Sequence, residues 1–375
     1  MTYGKDNAGA PLFAAVGGAG TILVSGDGTN WGAKTSGTTN ALYGVAFGDV
    51  SGVPTFVAVG LHINADGTSS GSFVSSTDGG ATWILNSIYP PNNIFQCVTS
   101  GGTGGLLGGV TCGRNQSGPL FVAVSSLADV LTSADGTNWT TQATSQGDMR
   151  AVTYGQSRFV AVGSEAAEVS SDGINWTAGT GVSGSVLAGV AYGNGVFVAV
   201  GSGGGGSIYT SPDGTNWMAN TSVSSSGALN GITFGRGTFV AVGPLQPTSG
   251  ETAALLTSTD GTNWVARNGG AWGTLVGVTY ANGEVSQFVA VGAPDLILGA
   301  TCSVTTPFSY SPLTGAQFSI FDLPFGRIIK VQFSSDLLNW TTLTNFILGR
   351  NKPGFTFSDP SATNYAQGFY SIGLR

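Results

Sequence analysis

Apolar and polar positions alternate in short bursts along this chain, and the bursts recur. A run of the form Phe-Val-Ala-Val-Gly opens at Phe56 and ends at Gly60, and similar runs open at Phe121, Phe159, Phe197, Phe239 and Phe288. Such runs are apolar on both faces, which predicts strands buried on both sides. Before each lies a segment ending in an aromatic and a small residue: Tyr3-Gly4, Phe47-Gly48, Tyr154-Gly155, Tyr192-Gly193 and Phe234-Gly235. Cys112-Gly113 and Tyr280-Ala281 fill the same slot with changes. Short turns such as Gly193-Asn194-Gly195 join the two, a hairpin signal. A third strand, such as Ser207–Thr210, follows a variable loop. A polar turn then leads to a fourth strand that starts at a tryptophan.

That polar turn is the most regular phrase in the chain. Ser25-Gly-Asp27-Gly28-Thr-Asn30-Trp31 returns at Ser133–Trp139, Ser170–Trp176, Ser211–Trp217 and Ser258–Trp264, with a one-residue-longer form at Ser76–Trp83. Its Asp can accept hydrogen bonds from turn amides, and its Gly supplies a positive φ. Four antiparallel strands in a unit of about 40 to 50 residues is the signature of a propeller blade. No period of 3.6 residues runs through the units, which excludes a helical solenoid. Seven copies of the first-strand slot predict an all-β, seven-bladed β-propeller of four-stranded blades over residues 1–306. The seventh unit lacks the tryptophan turn, so strands near Pro307–Pro312, or the tail, are expected to close the ring. A small C-terminal β-domain is expected over 315–375.

The longer turn, Ser76-Thr-Asp78-Gly-Gly80-Ala-Thr82-Trp83, fits the full Asp-box pattern S-x-D-x-G-x-T-W, and the others fit a shortened form. The chain resembles Asp-box (BNR-type) β-propellers, the architecture of sialidases and of several lectins and glycoside hydrolases. That resemblance implies a structural role for Asp27, Asp78, Asp135, Asp172, Asp213 and Asp260, away from any active site. The sialidase set of three arginines with a Tyr–Glu pair is not matched. The tail carries Ser335-Asp336-Leu337, Trp340, Phe357, Asp359-Pro360 and Phe369-Tyr370. It resembles a C-terminal β-domain of secreted proteins from Verrucomicrobia-like bacteria, which implies an extracellular or cell-surface setting. A trimmed secretion signal before Met1 is expected on the same view.

Composition narrows the function. Only 8% of residues are charged, Gly numbers 62 and the formal charge is −7. A Ser, Thr, Asn and Gly surface suits the outside of a cell, and net acidity argues against nucleic acid. No apolar run reaches about 18 residues, so no membrane span is predicted. Cys97 and Cys112 either pair or stay buried as thiols, and Cys302 is odd. A single histidine, His62, makes a zinc site improbable.

Connectivity sorts the loops onto two faces. The Asp turns and the first hairpins share one. On the other, Asp66, Asp129, Glu165, Glu168, Glu251 and Asp295 follow second strands, with Asp148 in a connection and His62, Lys34, Arg150 and Arg267 beside them. Carboxylates ringing one channel mouth suit a sugar or a cation such as Ca²⁺, or simply keep that face solvated. Trp272 and Tyr89 lie outside the repeated slots and offer aromatic plates for a sugar, or plugs for the channel. The expected function is non-catalytic: glycan binding, adhesion or extracellular assembly, with carbohydrate or matrix as partner and no cofactor. The alternatives are a glycoside hydrolase or lyase using those carboxylates, and a structural subunit that polymerises.

Overall fold

A computed structural model describes residues 1–28, 30–63, 69–86, 107–125, 129–142, 147–203, 208–220, 228–243, 254–268, 274–281, 287–293 and 296–299, and strands within 309–374. Six antiparallel meanders of four strands each follow one another along the chain. Blade one comprises Thr2–Lys5, Pro11–Val16, Ile22–Ser25 and Gly32–Lys34; blade two comprises Ala41–Val50, Val53–Ile63, Ser69–Ser76 and Ile84–Asn86. Blade three runs from Leu107 to Thr141, blade four from Met149 to Ala178, blade five from Ser185 to Ala219 and blade six from Gly231 to Asn268. A seventh sheet has three strands, Thr274–Ala281, Gln287–Ala293 and Leu296–Gly299. Six complete blades, not seven, are therefore present among the described residues. The seventh copy of the pattern has no tryptophan turn after its third strand, and no fourth strand forms there.

The first strand of each sheet lies beside the first strands of both neighbours, and Thr274–Ala281 lies beside Thr2–Lys5. First strands therefore line the centre and fourth strands the rim of a β-propeller. Its core is divided. Buried side chains fall into seven clusters, each sandwiched between two adjacent sheets. The Phe-Val-Ala-Val strands explain this division. In blade three Phe121, Val122, Ala123 and Val124 are all fully buried, alternate residues facing opposite neighbours. The last cluster, around Phe13, Ala281 and Val289, joins the seventh sheet to blade one.

The aromatic–glycine pair ending each inner strand has a steric cause across blades. A Cβ added at Gly155 would lie 2.2 Å from the Tyr192 ring of the next blade. Gly4 meets Phe47, Gly113 meets Tyr154, Gly193 meets Phe234 and Gly235 meets Tyr280 in the same way. Each aromatic also packs on the phenylalanine of its own second strand, as Tyr192 does on Phe197 at 4.7 Å. In blade three the slot holds Cys112, a free thiol set against Gly48. Burial pushes that thiol up to about 11, so at neutral pH it is protonated and acts as a small hydrophobe. Cys97 and Cys302 lie outside the described residues.

The tail forms two further sheets. Ser309–Ser311, Gly315–Phe321 and Gly354–Asp359 make one; Thr341–Ile347, Ile328–Ser334 and Phe369–Leu374 make the other. The expected ring closure near Pro307–Pro312 is not what forms, because Ser309–Ser311 pairs with Gly315–Phe321. Among the described residues no helix is long and apolar enough to cross a membrane.

Candidate functional site

The Asp turns are built from their own side chains. In blade three the Asp135 carboxylate accepts from the Asn138 amide at 2.7 Å, the Thr137 amide at 2.8 Å and the Ser133 hydroxyl at 3.0 Å. Its second oxygen accepts from the Asn138 side chain at 2.7 Å. The Ser133 hydroxyl oxygen accepts from the Gly136 amide, and the Trp139 indole donates to the Gly136 carbonyl. Gly136 has φ +77, which excludes most other residues there. Asp172, Asp213 and Asp260 repeat this set, and Asp27 and Asp78 close their turns through Ser25 and Ser76. Partial burial alone would raise the Asp172 carboxyl. The Asn175 and Ile174 amides, the Asn175 side chain and the Ser170 hydroxyl outweigh it and hold the group at about 2. The Asn216 amide leads a similar set that holds Asp213 at about 2. All this capacity is used within the turn, which leaves these carboxylates a scaffold role.

The first hairpins lie on the same face as the Asp turns and grip them. The Arg158 guanidinium donates to the Asp213 carbonyl, Asn194 to that of Thr259 and Asn115 to that of Asp172. Lys5 pairs with Asp49 at 2.7 Å between the first hairpins of blades one and two.

The opposite face is where the inner strands begin. Five inner strands carry a β-bulge there, leaving one residue out of register: Tyr43, Gly108, Arg150, Ala188 and Val276. The residue before the bulge is anchored in the core; Leu42, Met149, Leu187 and Leu275 are all buried. The residue after it is small where inner strands approach. Gly189 faces the Gly231 backbone, and Gly231 faces that of Gly277. The bulged side chain is thus turned outward, and Tyr43 is 48% exposed and Val276 51%. In blade six Asn230 occupies the equivalent place and donates to the Leu275 carbonyl at 2.8 Å. Bulges at a rim re-aim side chains in this way. A repeated Leu-x-Gly at 42–44, 107–109, 187–189, 229–231 and 275–277 is the sequence signal for this ring, and the carboxylate inventory overlooked it.

Next to Tyr43 a shallow groove of about 670 Å³ runs along the junction of blades one and two. Lys34, Ser36, Thr38, Asn40 and Leu85 line it. Asn40 donates to Ser72 and Ser36 to the Thr38 carbonyl, so the groove wall is fixed.

The expected carboxylate ring is rearranged. Glu165 is exposed in a tight turn with φ +55. Glu168 is not in a loop at all. It sits in the third strand of blade four opposite Ala161 and is 1% exposed. The turn between the second and third strands spans only Ser164–Ala166, so the strand has already begun at Ala167. Burial therefore removes Glu168 from the mouth. Asp148 holds Ser164 at 2.7 Å and Arg150 at 3.4 Å. Asp129 is tied to Ser125, and burial raises its carboxyl despite that bond. His62 lies in the second strand of blade two opposite Ser70, not in a loop. Arg267 lies in the outer strand of blade six opposite Leu255. Asp66, Glu251, Asp295, Trp272 and Tyr89 lie outside the described residues. No three His, Cys, Asp or Glu side chains among the described residues gather as a metal site would require.

No family model matches the chain, and no curated protein matches it. Among solved structures, one described as YCF48 bound to D1 peptide is 16% identical with a TM-score of 0.49, over 69% of this chain and 77% of that one. YCF48 from Cyanidioschyzon merolae gives 15% identity and 0.49, over 76% and 90%. The WD40 propeller domain of Doa1 gives 11% and 0.47, over 76% and 88%. The propeller assignment rests on the strand order and register of this chain itself.

Proposed function

We propose that this chain is a non-catalytic, extracellular or cell-surface propeller of the Asp-box kind that binds carbohydrate on the face opposite its Asp turns. The observation that carries the reading is the hydroxyl- and amide-lined groove of Lys34, Ser36, Thr38 and Asn40 opening beside the exposed Tyr43. A sugar offers hydroxyls to such a wall and an apolar ring face to an aromatic plate. The outward bulges extend that surface around the channel mouth, with Arg150 and Asn230 as further hydrogen-bond donors. Adhesion to a matrix is the role such a surface suits, on a module covering 1–306 with a separate unit at 315–375.

Hydrolysis by paired carboxylates is the weaker reading. A pair must face one substrate bond, whereas Glu168 is enclosed in the core and Glu165 is exposed. A glycan array probed with the purified full chain tests the proposal. Retention of a defined set of oligosaccharides, lost in Asn40→Ala with unchanged melting, is the expected result. Absence of any retained glycan, or retention with release of reducing ends, would overturn it.

A further inference from the structure

The six Asp turns share a register as well as a sequence. In blade three Phe121 lies opposite Ser133, and the residue before that serine, Thr132, lies opposite Thr140, the residue after the tryptophan. The same two pairings recur in blade one as Phe13 with Ser25 and Val24 with Gly32. They recur in blade five as Phe197 with Ser211 and Thr210 with Met218.

The second sheet of the tail has this register too. Phe369 lies opposite Ser334, and Phe333, the residue before that serine, lies opposite Thr341. The central strand, Ile328–Ser334, is antiparallel to both neighbours, as a third blade strand is to the second and fourth. The sequence joining Ser334 to Thr341 keeps the spacing of the turn. Ser334-Ser-Asp336-Leu-Leu-Asn339-Trp340-Thr-Thr342 matches Ser133-Ala-Asp135-Gly-Thr-Asn138-Trp139-Thr-Thr141 at Ser, Asp, Asn, Trp and both Thr. One position departs: Leu337 stands where Gly136 has φ +77.

We propose that residues 328–374 are a circularly permuted blade closed by a seventh Asp turn. Ile328–Ser334 and Thr341–Ile347 take the places of the third and fourth strands, and Phe369–Leu374 takes the place of the second although it comes last in the chain. Two independent features coincide, the motif spacing and the register of both flanking strand pairs. A hairpin brought together by generic apolar pairing would share neither. The tail is then built from the same unit as the ring, and its Asp336 closes a turn as Asp135 does.

Leu337 supplies a test whose sign separates this turn from others. If the turn is of the same kind, Leu337 occupies a positive φ and glycine relieves it; in a turn with negative φ, glycine adds only chain entropy and loosens it. Hydrogen exchange is followed by mass spectrometry on the full chain, with peptides from the six blades as internal reference. Leu337→Gly is expected to slow exchange in peptides covering 328–347 by about two-fold or more. Asp336→Ala is expected to speed it by about five-fold or more, through turn amides left without an acceptor. Blade peptides should not change in either variant. Faster or unchanged exchange in Leu337→Gly would overturn the proposal, as would unchanged exchange in Asp336→Ala. If Asp336→Ala does not accumulate, Leu337→Gly decides alone.

Discussion

Arg158 donates from Nη1 to the carbonyl oxygen of Asp213 at 2.8 Å, fastening the first hairpin of blade four to the Asp turn of blade five. The propeller has no interlocking backbone between adjacent blades, so clamps of this kind join what the apolar clusters only press together. A guanidinium bond to a carbonyl contributes about 1 to 2 kcal/mol when half-buried. Arg158→Ala should therefore lower the urea midpoint by that amount at constant slope, since folded compactness is unchanged. A midpoint within error of the parent would show that the clamp is redundant with the packing beneath it.

A second prediction concerns the closest approach between blades. Gly155→Ala drives a methyl into the Tyr192 ring, whose own position is fixed by Phe197. The ring cannot retreat without opening the next cluster, so the variant should lose about 1 to 3 kcal/mol. Equilibrium unfolding checks this, and a loss below about 0.5 kcal/mol would mean the blades slide apart freely.

The repeat was legible in the sequence because each unit writes its strands in one local phrase. The cause of the aromatic–glycine pair was not, because the ring that excludes a side chain at Gly155 belongs to the next unit. Blade number was over-read for a related reason. The inner strand Thr274–Ala281 keeps the pattern, but an inner strand does not guarantee a fourth. Glu168 was misplaced by the assumption that residues after the second strand are loop, when a three-residue turn already returns the chain to the core. The bulges escaped notice because attention went to charge, whereas Leu-x-Gly carries none. At the candidate site itself, Asn40 and Tyr43 look like ordinary connection and strand residues until the groove brings them together.

Glu168 gives a prediction of opposite sign. The slot opposite the strand-two alanine holds Leu23, Val74, Leu131, Tyr209 and Leu256 in the other five blades, and Glu168 in blade four. Replacing a buried carboxyl by an apolar residue of similar volume is often neutral or stabilising. Glu168→Leu should raise stability by about 1 to 2 kcal/mol. A fall of similar size in calorimetry would show that the carboxyl anchors something the apolar residues do not.

Acid stability follows from the Asp turns. Asp172 and Asp213 titrate near 2 in the folded chain, below the unfolded value of about 3.9. The unfolded chain therefore binds more protons in this range, and stability rises with pH across it. The contribution is complete above about pH 4 and is lost as pH falls through the folded value near 2. Asp172→Asn should flatten this dependence while lowering stability at pH 7. A pH profile equally steep in the variant would place the acid sensitivity elsewhere.

The last prediction isolates the plate at the channel mouth. The bulge turns Tyr43 out of register while Leu42 holds the strand in the core, so truncating Tyr43 removes exposed surface and little packing. Tyr43→Ala should leave the melting temperature within about 1 °C of the parent, as surface substitutions away from buried contacts do. It should weaken binding of an array-selected oligosaccharide about five-fold or more, the loss of a well-placed aromatic contact. Ile84 supplies the control, an apolar side chain exposed on the outer strand of blade two. Ile84→Ala should change neither quantity, because the rim faces away from the mouth. Isothermal titration of the three proteins decides the matter. Equal affinities in the parent and Tyr43→Ala would remove the mouth from consideration, and a loss confined to Ile84→Ala would move the binding surface to the outer edge of the blades.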